Sequence, residues 1–132
     1  MAFKLKTSLE TKKIFEQVFK GTGLQPYALV KISMALSIHS KQKLSDDDFD
    51  TPNDGLELNR QTISAEYDKL FCSLIILQEN TPLTDGEIFP RYFKAHIDRG
   101  AKMLLAEYKY SKGNFYTHFC ELDKGIWCIK KK

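Results

Sequence analysis

The chain of 132 residues has little of what most catalytic or cofactor-binding sites require. It has three cysteines, Cys72, Cys120 and Cys128, and no two of them have the Cys-x-x-Cys spacing. Their spacing therefore predicts neither a disulfide framework nor a zinc site. There is no glycine-rich phosphate loop and no recognisable nucleophile motif. The sequence therefore favours a binding protein over an enzyme, with no cofactor and no bound metal.

Long hydrophobic runs and flexible linkers are absent as well. No apolar stretch approaches the roughly 18 residues of a membrane span, and the first residues lack a signal-peptide core. No stretch rich in proline, glycine or serine divides the chain, and 42% of the residues are hydrophobic. We therefore expect a soluble, cytoplasmic protein with one domain over residues 1–132.

Two groups of candidate metal ligands do not match known sites. Residues 46–48 are three consecutive aspartates, whereas calcium loops place carboxylates at alternating positions with a specific glycine. His118, Cys120 and Cys128 lack a fourth ligand. We interpret the aspartates as a solvated loop and the second group as core residues.

Charge is plentiful, and it is distributed unevenly. The formal net charge is +3, but residues 1–44 carry +6, residues 45–90 carry −9 and residues 91–132 carry +6. These blocks predict either a basic surface built from both ends of the chain, which would steer a polyanion to one side, or three ordinary solvated faces.

The N-terminal pattern predicts a short strand and an amphipathic helix. Phe3 and Leu5 alternate with Lys4 and Lys6, which is the period of a strand. A strand this short must pair, and a second copy of the chain is a candidate partner.

Residues 7–10 then form a predicted capping box, with Thr7 and Glu10 satisfying free amides. Gly21 is the expected C-terminal cap. The expected buried stripe of this helix is Ile14, Phe15, Val18 and Phe19.

A second helix is predicted over residues 27–38, with Pro26 in its first turn. Nine of these twelve residues are apolar and one, Lys31, is charged. A helix that is apolar nearly all round must be covered, either partly by another subunit, which we favour, or by the rest of the monomer.

The remaining elements are predicted from similar patterns. Residues 39–58 form an expected surface loop, and helices are expected over residues 63–78 and 87–108. The first of these helices has a predicted stripe of Tyr67, Leu70, Phe71, Leu74 and Ile75, and Ser64 or Thr62 is its expected cap. The second has a predicted stripe of Phe89, Phe93, Ile97, Leu104 and Tyr108.

Three details of the C-terminal third follow from its residue types. Gly100 inside the last helix indicates a close backbone approach, because glycine there costs about 1 kcal/mol relative to alanine. Asp98 can pair with Lys94 and Lys102 on an exposed side. Residues 114–130 have the aromatic and β-branched runs of a hairpin around residues 123–125.

Together these elements predict a mainly α, compact four-helix domain with a short C-terminal β-hairpin. Its first half resembles a ribbon-helix-helix unit, in which two chains pair their strands. Lys4 and Lys6 would then face DNA, and the amides near Gln25 would meet phosphate.

Three longer segments resemble the DndE family of bacterial DNA phosphorothioation proteins. They are KTSLETKKIFEQVFKGTGLQPYALVKISMALSI, GLELNRQTISAEYDKLFCSLI and FKAHIDRGAKML, and the last matches a His-x-x-Arg-Gly helix of the family. The resemblance covers about residues 6–105, and residues 109–132 form an extension outside it. Ordering and spacing of the segments carry the resemblance.

The resemblance implies an accessory subunit of a DNA sulfur modification system. Such a protein would assemble as a homotetramer and bind double-stranded DNA, with a preference for nicked duplex. Its partners would include the other proteins that replace a non-bridging phosphate oxygen with sulfur. The family is not thought to carry out the sulfur chemistry itself.

His96 lies in the matched AHIDRGA segment and has two interpretations. It could act as a base in a nicking phosphodiesterase, with Arg99 holding phosphate. Alternatively it is a buried histidine hydrogen-bonded to a neighbouring element, which we favour. Asp98 lies about 200° around the helix from His96, so the two cannot form a dyad within it. Arg99 could equally close an ion pair between subunits.

The candidate DNA contacts cluster around the Gly-Thr-Gly turn, whose backbone can approach a phosphate closely. They are Lys4, Lys6, Lys12, Lys13, Lys20, Gly21, Thr22, Gly23 and Lys31, with Arg91, Lys94 and Lys102 as weaker candidates. Contacts of this kind predict salt-sensitive binding with little dependence on base sequence. The rival functions are a ribbon-helix-helix repressor, a nicking enzyme using His96, and a scaffold without DNA affinity.

Overall fold

The computed structural model describes residues 3–111 and 114–120, apart from the side chain of Phe119. It is mainly α, with one small antiparallel sheet. No helix in these ranges is long and apolar enough to cross a membrane. In chain order the elements are β1 (Lys4–Lys6), α1 (Leu9–Thr22), α2 (Pro26–His39), α3 (Asp46–Phe49), β2 (Glu57–Asn59), α4 (Arg60–Ser64), α5 (Asp68–Glu79), α6 (Asp85–Glu87), α7 (Phe93–Ser111) and α8 (Phe115–Cys120).

Four longer helices, α1, α2, α5 and α7, surround the hydrophobic core, which confirms the predicted four-helix arrangement. Helix α7 packs against both α1 and α2. The close approach predicted at Gly100 is confirmed, because a Cβ there would lie 1.7 Å from the backbone oxygen of Ser33 in α2. Leu29, Val30 and Met34 of α2 are buried within the monomer.

The partner of the N-terminal strand differs from the expected second copy. Strand β1 pairs with β2 of the same chain, and Leu5 lies opposite Leu58. Both leucines are buried, so the pair closes one end of the monomer core. The predicted surface loop over residues 39–58 accordingly contains a short helix, α3, and the start of β2.

The caps of α1 lie one or two residues beyond the predicted positions. Ser8, not Thr7, accepts a hydrogen bond from the Thr11 amide, at 3.2 Å. Thr7 is buried, and its hydroxyl oxygen accepts a bond from the Leu56 amide at 3.0 Å. At the other end Gly23 is the left-handed cap, with φ of 78°, whereas Gly21 remains helical.

The helix predicted over residues 63–78 is broken near its start. Helix α4 ends at Ser64, Ala65 has φ of 47°, and α5 begins at Asp68 after one 3₁₀ turn. The Arg60 guanidinium bridges this break by donating to Asp68 at 2.8 Å and to Asp85 at 2.7 Å. These bonds lower the pKa of both carboxyl groups.

That break also changes the predicted apolar stripe and cap. Phe71 and Ile75 are buried, but Tyr67 and Leu70 are exposed. Neither Thr62 nor Ser64 begins the first helix, because its N-cap is Asn59.

The last long helix begins at Phe93 instead of residue 87. Phe89 has extended φ and ψ angles of −116° and 130°, and a residue before proline avoids the helical region. The predicted apolar stripe is otherwise confirmed, since Phe89, Phe93, Ile97 and Leu104 are buried.

Residues 115–120 form helix α8, so the predicted hairpin is wrong for this part. Phe115 is buried beside the Tyr108 ring, and His118 Nε2 lies 2.5 Å from the Glu107 carboxylate. Both contacts dock a helix against α7. The remaining part of the predicted hairpin, residues 121–130, lies outside the described residues.

Candidate nucleic-acid interface

The outer face of α1 presents the main group of predicted DNA contacts. Thr11, Ile14, Phe15 and Val18 are buried, and this amphipathic pattern turns the lysines outward. Phe19, predicted to be buried, is instead 40% exposed. Along this face Lys12, Lys13 and Lys20 are all exposed.

A shallow depression of about 500 Å³ lies beside the end of α1. Lys13 and Lys20 contribute the positive charges, and Glu16 one negative charge. The two lysines are seven positions apart in the sequence, which places them about 10.5 Å apart along the helix axis. The full lining is Lys13, Glu16, Gln17, Lys20, Gly21 and Tyr108.

The Gly21–Gly23 turn is held by its own hydrogen bonds. The Gly23 amide donates to the Phe19 carbonyl at 2.8 Å, and the Thr22 hydroxyl donates to the Val18 carbonyl at 2.8 Å. A Cβ at Gly21 would fall 1.7 Å from the Tyr108 hydroxyl oxygen. The turn is therefore ordered, and Gly21 lets α7 pack closely.

The other predicted lysines are distributed over different surroundings. Lys4 and Lys6 are exposed on β1, and Lys4 Nζ lies 3.9 Å from Glu57 across the sheet. Lys31 is half-buried, and its ammonium donates to the Thr62 carbonyl at 2.9 Å. Lys31 is therefore partly engaged within the chain.

Among the weaker candidates, Lys94 is the least available. Its side chain is largely buried and its ammonium donates to Asp98 at 2.9 Å. Asp98 is only 2% exposed, so the side of α7 predicted to be solvated is buried at this point. Arg91 stacks its guanidinium 4.1 Å from the Phe49 ring centroid, whereas Lys102 is exposed.

His96 is fully buried, as the favoured interpretation predicts. Its Nδ1 lies 2.8 Å from the Ser37 hydroxyl, and its Nε2 has no hydrogen-bond partner within residues 3–111 and 114–120. Burial, together with nearby Arg99, lowers its pKa to about 3. An imidazole that is neutral and enclosed in this way has no contact with DNA at the surface.

Arg99 is engaged inside the same chain. It donates to the Ser37 hydroxyl at 2.8 Å and to the Gln42 carbonyl at 2.9 Å, and it lies 3.7 Å from Asp48. These contacts connect the loop after α2 to α7, which explains a half-buried arginine without a phosphate ligand. No group of metal-ligating side chains occurs in the part of the chain that the structure describes.

Two aromatic residues at the α1 end were missed by the sequence reasoning. Tyr108 was expected only as part of a core stripe, but it lines the depression. Tyr116 was assigned to a hairpin, but its hydroxyl donates to the Thr22 carbonyl. Both contacts join residues more than 80 positions apart, and no local pattern indicates such a pairing.

The comparisons with known proteins agree with this architecture. The family model described as DNA sulphur modification protein DndE matches residues 4–112. No curated protein matches the sequence.

Two solved structures are similar to the chain. The crystal structure of DndE from Escherichia coli B7A, described as involved in DNA phosphorothioation modification, has a TM-score of 0.63 and 19% identity. The alignment covers 79% of this chain and 97% of that one. A DndE mutant in which two glycines are replaced by lysine has a TM-score of 0.60 and 16% identity, covering 78% and 97%.

Proposed function

The chain belongs to the DndE family of DNA sulphur modification proteins, and from that premise we propose that it is an accessory DNA-binding subunit of a phosphorothioation system. It binds the DNA backbone through the outer face of α1, prefers nicked duplex, and acts as a homotetramer beside the other modification proteins. The observation that carries the proposal is the placement of Lys13 and Lys20 on either side of a shallow depression at the Gly21–Gly23 turn.

The charge and shape of this surface suit a phosphate backbone. Lysine ammonium groups are mobile point charges, and each contact with phosphate releases a counterion from DNA. The separation of Lys13 and Lys20, about 10.5 Å, equals about three base-pair steps of 3.4 Å. Because Glu16 also lines the depression, each protomer offers modest attraction. Several protomers acting together would raise the avidity.

A surface for self-association is available on α5. Leu70, Leu74 and Leu77 recur at steps of four and three residues, and Leu70 and Leu77 are 53% and 74% exposed. We call these three leucines the α5 seam. With Ala35 and Ile38 of α2, they line a groove of about 670 Å³. The spacing is that of a seam between packed helices.

The α5 seam differs from the assembly surface expected from the sequence. The middle of α2 is covered by its own chain, chiefly by α7, and only its edge at Ala35 and Ile38 reaches the groove. We therefore place self-association on α5 with this edge of α2.

The test is DNA binding by a triple variant, Lys12→Glu, Lys13→Glu and Lys20→Glu. We expect it to lose affinity for both intact and nicked 30-base-pair duplexes, and to reduce the slope of log affinity against log salt by about 1 for each contacting lysine. A control, Lys43→Glu with Lys69→Glu, reverses charge at exposed positions outside both the depression and the α5 groove and should retain binding.

Unchanged binding by the α1 variant would show that the surface is wrong. A strong preference for one operator sequence over random duplex would instead support a repressor, and no affinity of the wild-type chain for any duplex would support a scaffold. Against the repressor, β1 pairs with β2 of its own chain, so one edge of the strand is used within the monomer.

A further inference from the structure

Helix α8 lies beyond the segment that matches the family, and it packs against the proposed DNA surface. The family match ends at residue 112, whereas α8 spans Phe115–Cys120. The hydroxyl of Tyr116 donates to the carbonyl of Thr22, inside the Gly21–Gly23 turn. The chain thus adds a helix beside the lysines of α1.

Three contacts hold α8 in place. Phe115 is buried, with its ring centroid 5.9 Å from that of Tyr108. One turn further along the same face of α8, His118 Nε2 lies 2.5 Å from the Glu107 carboxylate. The third contact is the bond from Tyr116 to the turn. Together they orient the exposed side chains of α8 relative to α1.

Two aromatic rings at this place are open to solvent. Tyr116 is 56% exposed and Tyr110, whose ring centroid lies 5.3 Å from that of His118, is 76% exposed. Tyr108 connects α8 to the lysines, because it contacts Phe115 on one side and lines the depression with Lys13 and Lys20 on the other. Exposed rings next to positive charge are characteristic of surfaces that stack bases while holding the backbone.

We propose that α8 is a stacking platform, on which Tyr116 receives an unpaired DNA base while Lys13 and Lys20 hold phosphates of the same DNA. The ligand must have a free base face, because the bases of an intact duplex cover one another. A gap, a strand end or a frayed nick supplies such a base. The inference rests on the proposed function and names the part of the DNA that the same site recognises.

The experiment compares one DNA sequence as an intact duplex and as a duplex with a one-nucleotide gap, with 2-aminopurine as the unpaired base opposite the gap. Wild type, Tyr116→Ala and Tyr116→Phe are titrated into both, and circular dichroism confirms that each variant is folded. We expect Tyr116→Ala to lose roughly tenfold in affinity for the gapped duplex and none for the intact one. Tyr116→Phe keeps the ring and should keep both the affinity and the change in 2-aminopurine fluorescence.

The outcomes separate this inference from the proposed function. Equal binding of the gapped duplex by wild type and Tyr116→Ala would overturn the platform and leave the lysine surface standing. An equal loss on both duplexes would also overturn it, since the ring would then serve general binding or folding. A wild type that binds neither duplex would overturn both proposals, and one that binds only the gapped duplex would support the platform alone.

Discussion

Among individual residues, His96 couples the stability of the fold to pH. Burial, assisted by Arg99, lowers its pKa from 6.5 to about 3. Between these values the unfolded chain binds a proton that the folded chain does not, so the free energy of unfolding decreases as pH falls. The contribution is fully present above pH 6.5 and is lost progressively toward pH 3. The free energy of unfolding changes through this group by at most about 1.4 kcal/mol per pH unit.

Urea denaturation at pH 7.5 and 5.0 measures this effect. We expect a loss of up to about 2 kcal/mol at the lower pH for the wild type, and a smaller difference for His96→Gln, which cannot titrate. If His96→Gln kept the full pH dependence, the titrating group would lie elsewhere.

The same residue shows what local sequence can predict at this scale. His96 falls near the apolar stripe of its helix, and this position alone indicates burial. The partner could not be predicted in the same way, because Ser37 is 59 positions away and belongs to a different helix. Gly100 is similar, since its residue type indicated a close approach but not that Ser33 would make it.

Among the elements, a buried carboxylate joins the start of α1 to α7. Asp98 accepts hydrogen bonds from the Thr11 hydroxyl at 2.6 Å and the Thr51 hydroxyl at 2.7 Å, and it pairs with Lys94 at 2.9 Å. The Ser8 amide also donates to it, at 3.2 Å. One side chain thus connects α1, α7 and the segment before β2.

Asp98→Ala should cost about 3–5 kcal/mol of unfolding free energy, because it leaves the largely buried ammonium of Lys94 without its only ion-pair partner among the described residues. Adding Lys94→Met should recover part of that loss. Asp85→Ala removes an exposed carboxylate from Arg60, which keeps Asp68, and should cost at most about 1 kcal/mol. If urea denaturation gave equal losses of unfolding free energy for Asp98→Ala and Asp85→Ala, the buried contacts of Asp98 would contribute no more than an exposed ion pair.

The elements themselves were predictable where local pattern and packing agree. Helix α2 begins at Pro26 and ends within one residue of the predicted limit, since a proline start and an apolar run suffice to define it. The break at Ala65 and the helical form of residues 115–120 are accompanied by contacts with distant residues, Arg60 to Asp85 at the first and Phe115 to Tyr108 at the second, which no local pattern shows. The aromatic run of α8 fits a strand by propensity, and tertiary packing overrides that preference.

In the whole molecule, charge and apolar surface occupy different elements. Lysines line the outer face of α1, while the exposed leucines of the α5 seam lie against the edge of α2. The sequence predicted a basic surface and an assembly surface on α2, whereas we propose that assembly uses α5. Hydropathy alone could not show that α7 of the same chain covers most of that helix.

This separation predicts that assembly and phosphate contact can be removed independently. Leu70→Glu with Leu77→Glu should lower the mass in size-exclusion chromatography with light scattering from that of the proposed tetramer toward the 15.3 kDa monomer. The variant should stay folded, because both leucines are exposed. DNA affinity should then fall by at least tenfold through lost avidity, although every lysine remains. The triple lysine variant of α1 should lose DNA affinity and keep the tetramer mass.

A matched control is Leu9→Glu, which places the same charge on an exposed leucine of α1, where an acid near the helix start is tolerated. It should keep the tetramer mass. If the α5 seam variant also kept that mass, self-association would not use α5. If it became monomeric with undiminished DNA affinity, a single α1 surface would suffice for binding. The modest charge of that surface, with Glu16 beside Lys13 and Lys20, argues for the opposite result.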